Sequence, residues 1–168
     1  MHPTQEPIRI SESAHFFSTQ TEGRKPFFRQ EPWARSLLST VNQYDGVEYK
    51  LHAFVVMPDH LHMLITPFGA VERAVQTIKD EFSQRAKSEL EWTRAIWERG
   101  FTDHRIHDEE DWLRHMEYIR VNPIEARLSA ATVLYEFMGF PGREMPEGLK
   151  PLALSAADVR ARARTLHN

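Results

Sequence analysis

Two histidines one residue apart, His60 and His62, open a run of strand-forming residues, HLHMLIT. Alternate residues of a strand share a face, so both imidazoles project together while Leu61 points the other way. Paired imidazoles are a metal-ligand geometry suited to manganese, iron, cobalt, nickel, copper or zinc; magnesium would complete its shell with water or phosphate oxygens. The same spacing also describes two ordinary polar residues on a half-solvated strand.

A second group lies further along the chain. Tyr118 and Asn122 are one helical turn apart, with His115 and Asp111 down the same stripe. A tyrosine oxygen beside a cation is a sound nucleophile toward phosphorus. Asn122 can add a neutral oxygen ligand to that cation. Each residue also has a plainer reading. Tyr118 fits a boundary tyrosine whose hydroxyl finds a partner. Asn122-Pro123-Ile124-Glu125 fits a capping box, with asparagine as N-cap, proline at the first helical position and glutamate at the third.

Composition narrows the chemistry. The chain has 168 residues, 41% of them hydrophobic and 27% charged, which fits one globular domain with a tail. Cysteine is absent, so thiolate zinc sites and cysteine nucleophiles are excluded and any metal must be held by histidine, carboxylate or amide groups. No apolar run is long enough for a membrane span, and the polar start lacks the layout of a signal peptide, so the expected location is the cytoplasm, at the nucleoid. The net charge of −3 runs against a nucleic-acid partner unless basic groups are gathered locally. Nine histidines can add positive charge beside a polyanion.

The elements that must position these groups follow from periodicity. Residues 14–19 read as a strand. A helix follows Glu31-Pro32, with Trp33, Leu37, Leu38, Val41 and Tyr44 at helical spacing and a stop at Asp45-Gly46. Residues 47–57 and 60–66 read as strands joined at Met57-Pro58-Asp59. Neither alternates cleanly, which predicts a sheet covered on both faces. Residues 70–90 carry one apolar stripe and predict a long helix. A short strand at 101–107 leads to a helix capped by Asp108, which ends at Asn122-Pro123. Residues 124–129 and 131–137 read as further short elements, 139–150 as a Pro/Gly-rich loop, and 155–168 as an exposed arginine-bearing helix. The resulting fold class is α+β: a ferredoxin-like antiparallel sheet with helices on one face, and an additional helix bearing the tyrosine to cover the other. The domain reading is a catalytic unit over 1–138 and a loop with a basic tail over 139–168.

The segments VVMPDHLHMLITP and WERGFTDHRIHDEEDWLRHMEYIRVNPIEARL, in that order, resemble the REP-associated tyrosine transposases, relatives of the single-tyrosine transposases of small insertion sequences. The likeness covers residues 14–137. It implies a divalent metal, Mg²⁺ or Mn²⁺, on His60 and His62, with Asn122 as a third ligand, and Tyr118 as the nucleophile. It also implies a single-stranded or hairpin DNA substrate, cut through a 5′-phosphotyrosine and rejoined by strand transfer. Both a homodimer exchanging tyrosine helices and a monomer using its own are compatible with the resemblance. Two positions depart from it. Asp59 stands where the family commonly has asparagine, an added carboxylate that either joins the metal shell or caps the turn. Tyr135-Glu136-Phe137-Met138-Gly139 replaces a Trp/Tyr-Ser-Ser block.

DNA contact then falls to Arg24, Lys25 and Arg29, to Lys79 and Arg85, to Arg105, and to Arg120 and Arg127, with Phe101 and Trp97 available to stack on bases. His115 is available as a helper to the tyrosine. Two other functions remain compatible with the residues: a hairpin-binding module that does not cut, and a metallohydrolase that uses water as nucleophile.

Overall fold

The structure is a computed structural model and describes residues 13–149. Its elements run β1 (His15–Gln20), α1 (Glu31–Gln43), β2 (Tyr49–Met57), β3 (His60–Pro67), α2 (Val71–Glu89), β4 (Thr102–Arg105), α3 (Glu109–Glu125) and β5 (Met138–Gly139). The sheet order is β4-β1-β3-β2-β5, with every neighbouring pair antiparallel. This is the expected α+β ferredoxin-like arrangement, extended by one short edge strand. The helix expected over 155–168 lies outside the described residues.

The sheet has two apolar faces because β2 and β3 supply both. Leu61, Met63 and Ile65 alternate toward α1 and α2, where they meet Phe17, Leu37, Val41, Ile78 and Phe82. Leu64 from β3, with Ala53, Val55 and Met57 from β2, faces the other way and packs on Trp112 and Ile119 of α3. The register of β2 shifts between Leu51 and Ala53. The skipped residue, His52, is buried against the ring of Trp112, 4.9 Å away between centroids. Burying Trp112 and Ile119 contributes roughly 2 to 3 kcal/mol each to holding α3 on the sheet.

Asp108 caps α3 as its sequence indicates, its Oδ1 accepting the backbone N–H of Asp111 at 2.8 Å. The far end differs from the sequence reading. The helix does not stop at Asn122-Pro123, and Asn122 caps no new helix: Pro123 lies inside α3, which continues to Glu125. Proline lacks the N–H that would bond back one turn, and the helix closes within a turn after it. The amides of Ala126, Arg127 and Leu128 bond back to Asn122, Ile124 and Pro123. Arg127 takes the left-handed conformation that completes this closure, at φ 58°.

Residues 126–137 form turns rather than the short elements expected there. The chain then crosses the open side of the sheet. β5 pairs with Val55 and Phe54, straddling residue 138 where the sequence suggested a boundary. Beyond it the Gly142 carbonyl accepts from His52 Nδ1 at 2.8 Å. A side chain at Gly142 would put its Cβ 2.5 Å from the Leu51 carbonyl oxygen, so the segment lies flat on β2.

Candidate active site

His60 and His62 both face α3, as their spacing requires, with ring centroids 4.6 Å apart. Each has one ring nitrogen occupied by a neighbour. His60 Nδ1 lies 2.6 Å from Asp59 Oδ1, and since a carboxylate only accepts, this nitrogen carries the proton. Asp59 in turn meets Arg24 Nε at 3.2 Å through its other oxygen. Asp59 is therefore the carboxylate that orients His60. His62 Nδ1 is hydrogen-bonded to Ser18 Oγ on the adjoining strand. With Nδ1–H donating to that hydroxyl, both histidines keep an Nε2 lone pair for a ligand.

His62 is buried, at 6% exposure, and its Nε2 has no hydrogen-bond partner. An orphaned, buried imidazole nitrogen is costly unless something fills its lone pair. Burial, with smaller contributions from His60 and Arg24, pushes its pKa down to about 3. The ring thus stays neutral, the form that binds metals.

Tyr118 stands across from this pair on α3. Its ring is 5.2 Å from that of His62, at 75°. It is 43% exposed, open to a large ligand. Phe16 fills the floor between the helix and the strands: its ring is 5.5 Å from His62, 5.7 Å from Tyr118 and 4.7 Å from His115. His60, His62, Tyr118 and Asn122 line one cleft of about 720 Å³, together with Ser18, Arg24, Arg99 and Phe101. The four residues singled out as chemical groups are thereby brought together from two segments.

The other expected contacts are distributed unevenly. Arg24 lines the cleft. Lys79 is buried in α2, and its Nζ donates to the carbonyls of Glu98 and Gly100 at 3.0 and 2.6 Å, holding the loop that forms one wall. Arg85 pairs with Glu81 and Glu89 on the helical layer. Arg105 Nε donates to Ser13 Oγ, Arg120 is paired with Glu117, and Arg127 sits exposed in the turn after α3. Lys25 and Arg29 are exposed beside the first turn. Phe101 is part of the cleft wall, whereas Trp97 packs on Phe28 and Phe82. His115 turns toward the start of the helix, its Nδ1 2.8 Å from the Asp111 carbonyl.

Sequence reasoning missed Ser18, Asp59 as an orienting group, and Arg99. An acidic residue beside a metal-type histidine is a signal for the second. Ser18 carries no local signal, because its role comes from the β1–β3 register that sets it opposite His62.

An antiparallel five-strand sheet whose paired histidines face a tyrosine on a covering helix defines the class. Residues 12–122 match the family model described as "Transposase IS200 like", and the chain belongs to that family. A REP-associated tyrosine transposase of Escherichia coli strain K12 is 29% identical over 111 residues, covering 62% of this chain and 61% of that protein. An uncharacterized protein of Haemophilus influenzae is 30% identical over 100 residues, covering 46% of this chain and 56% of its own. The chain thus spans about three fifths of the length of these relatives. A solved structure of a REP-associated tyrosine transposase bound to a REP hairpin shares the fold, with TM-score 0.60 and 21% identity over 94% of this chain and 93% of that one. No helix among the described residues is long and apolar enough to cross a membrane.

Proposed function

We propose that this chain is a metal-dependent endonuclease and strand transferase for single-stranded DNA, acting at the nucleoid through a 5′-phosphotyrosine on Tyr118. The observation that carries the reading is the convergence of His60, His62, Asn122 and Tyr118 in one cleft around an unpartnered His62 Nε2. A hairpin substrate is supported by the REP hairpin that the structural relative binds.

The donor set fits a divalent metal: two oriented imidazole nitrogens and an amide oxygen, with room for phosphate oxygens. Manganese suits this set better than magnesium, which would lean on water and phosphate. When bound, such an ion supplies positive charge to the non-bridging oxygens and the leaving oxygen of the scissile phosphate. His60 and His62 would hold it, oriented by Asp59 and Ser18.

Tyr118 attacks phosphorus in line. Its oxygen forms the new P–O bond as the bond to the 3′ oxygen breaks, the phenolic proton passes to water, and the departing oxygen takes up a proton to become a 3′-hydroxyl. The ester energy is kept in the phosphotyrosine, so attack by a 3′-hydroxyl reverses the step and joins strands without a nucleotide cofactor. Arg24 and Arg99 supply the cleft with positive charge, and Phe101 offers a face to an unpaired base. Glu98 and Glu125 line the same cleft and offset this charge, so attraction of the DNA backbone there would rest on the bound metal. Lys79 contributes from behind the wall, through the loop it holds. Lys25, Arg29 and Arg127 remain available outside the cleft, whereas Arg105 and Arg120 would have to leave Ser13 and Glu117 to reach DNA.

The test is incubation of the protein with hairpin-bearing single-stranded DNA and Mn²⁺, read on denaturing gels. A covalent protein–DNA adduct that disappears in Tyr118→Phe is expected. DNA left intact under every metal, with binding retained, would replace the reading with a non-cutting hairpin binder. Cleavage that survives Tyr118→Phe but not His60→Ala would make water the nucleophile.

A further inference from the structure

A second group of metal-type side chains lies where β4 turns into α3, separate from the cleft. His104 on β4, His107 in the connection and Asp111 in the first turn of α3 offer ligand atoms that all lie within 4.8 Å of one another. Asp111 is buried, at 6% exposure. Its Oδ2 accepts from His104 Nε2 at 2.7 Å and from the backbone N–H of His107 at 3.0 Å, and its Oδ1 is 3.1 Å from His115 Nδ1. The His104 ring stacks on that of His115, 4.7 Å away at 18°, and stands 5.5 Å from that of His107.

We propose that His104, His107 and Asp111 form a second metal site, for a divalent ion of the zinc class, which pins the helix carrying Tyr118 to the edge strand.

The geometry needs little adjustment to accept the ion. Two ligands each about 2.1 Å from a tetrahedral metal stand roughly 3.4 Å apart, so the His104–Asp111 contact opens by well under an ångström. His104 gives up its Nε2 proton and keeps the one on Nδ1, an ordinary tautomer change. Burial works to raise the Asp111 pKa, but the His107 amide and His104 outweigh it and hold the carboxyl below its usual value, so the ligand is already ionised. His107 is exposed and free to turn inward. Three protein ligands leave the fourth position to water, and a His₂-carboxylate set is zinc chemistry rather than magnesium chemistry. Asp108, Glu109 and Glu110 add negative charge that offsets the helix dipole at this end.

The consequence reaches Tyr118 by packing. His104 buttresses His115, and Phe16 touches both His115 and Tyr118. An ion joining β4 to α3 therefore stiffens the helix about two turns before the tyrosine. The inference stands whether or not the chain cuts DNA.

Zn²⁺ stoichiometry by equilibrium dialysis, with Co²⁺ absorption as a geometric probe, tests it on the full chain. With the cleft silenced in His60→Ala/His62→Ala, one equivalent of Zn²⁺ is expected to remain and Co²⁺ to give a tetrahedral-type spectrum. Adding His107→Ala is expected to weaken that equivalent at least tenfold, and adding His104→Ala to abolish it. A folded double variant that binds none, or binding that survives both further substitutions, overturns the site. Should the double variant fail to fold, the comparison is wild type against His107→Ala alone, a change at an exposed residue. An affinity at least tenfold weaker for one equivalent in the variant supports the site; affinities equal to wild type for every equivalent overturn it.

Discussion

Tyr118 meets His62 edge-on across the cleft, the ring centroids 5.2 Å apart and the planes at 75°. One ring belongs to a helix that covers the sheet, the other to the strand at its centre. Phe16 packs on both rings, and both line the cleft, open to a group beside them.

Tyr118→Phe should therefore be silent in stability. The side chain is 43% exposed and its ring contacts survive the change. Thermal unfolding within about 0.5 kcal/mol of wild type is expected, together with complete loss of the covalent DNA adduct. A variant that melts far earlier would mean that the hydroxyl is structural.

Asp59 should act through His60. Removing the carboxylate in Asp59→Ala frees the ring to rotate and is expected to weaken Mn²⁺ binding by about ten- to a hundredfold, measured by calorimetry. Asp59→Asn keeps an oxygen for the His60 Nδ1 proton and loses the pairing with Arg24, so its loss should be clearly smaller. Equal losses in the two variants would show that charge, not orientation, is what Asp59 provides.

Acid should destabilise the metal-free protein through two buried neutral histidines. Burial lowers both His62, to about 3, and His52, whose hydrogen bond to Gly142 works weakly the other way. The unfolded chain then binds more protons than the folded one below pH ~6.5, so stability is full above that pH and falls as pH drops toward the folded values. His62 alone accounts for about 2 kcal/mol by pH 5. Urea unfolding at a series of pH values reads the slope, and His62→Gln should flatten it. A profile that is level between pH 7 and 5 would contradict the burial of these rings.

Gly142→Ala should peel the segment after β5 from β2. Its Cβ would stand 2.5 Å from a backbone oxygen, which has no rotamer to escape by. A cost of roughly 1 to 3 kcal/mol is expected, with faster amide exchange at Phe54 and Val55, the residues β5 pairs with.

The parts of this architecture that sequence revealed are those written in periodicity. The alternation of Leu61, Met63 and Ile65 against His60, His62 and Leu64, and the stripe along α2, fix elements and faces locally. What escaped depends on pairing between distant segments. Ser18 reaches His62 only because β1 and β3 adopt a particular register, and Asp111 gathers His104 and His107 only once β4 folds back beside α3. Asn122-Pro123 misled because proline ordinarily marks a boundary. Here the helix runs past it to Glu125, so Asn122 stays within α3, one turn after Tyr118 and on the same face. β5, two residues long, has no pattern of its own to read.

The position of β3 sets how the two halves of the site can move. It lies third of five strands, bonded on both sides, so its backbone amides are shielded by β1 and β2 and exchange with solvent only when the whole sheet opens. The smaller core under α3 can part at lower cost, exposing its amides earlier. The metal-type histidines thus belong to the most persistent unit of the molecule and the tyrosine to a less persistent one. In the reaction proposed above, such a division would let the tyrosine withdraw and return with its bound strand while its anchor keeps its place.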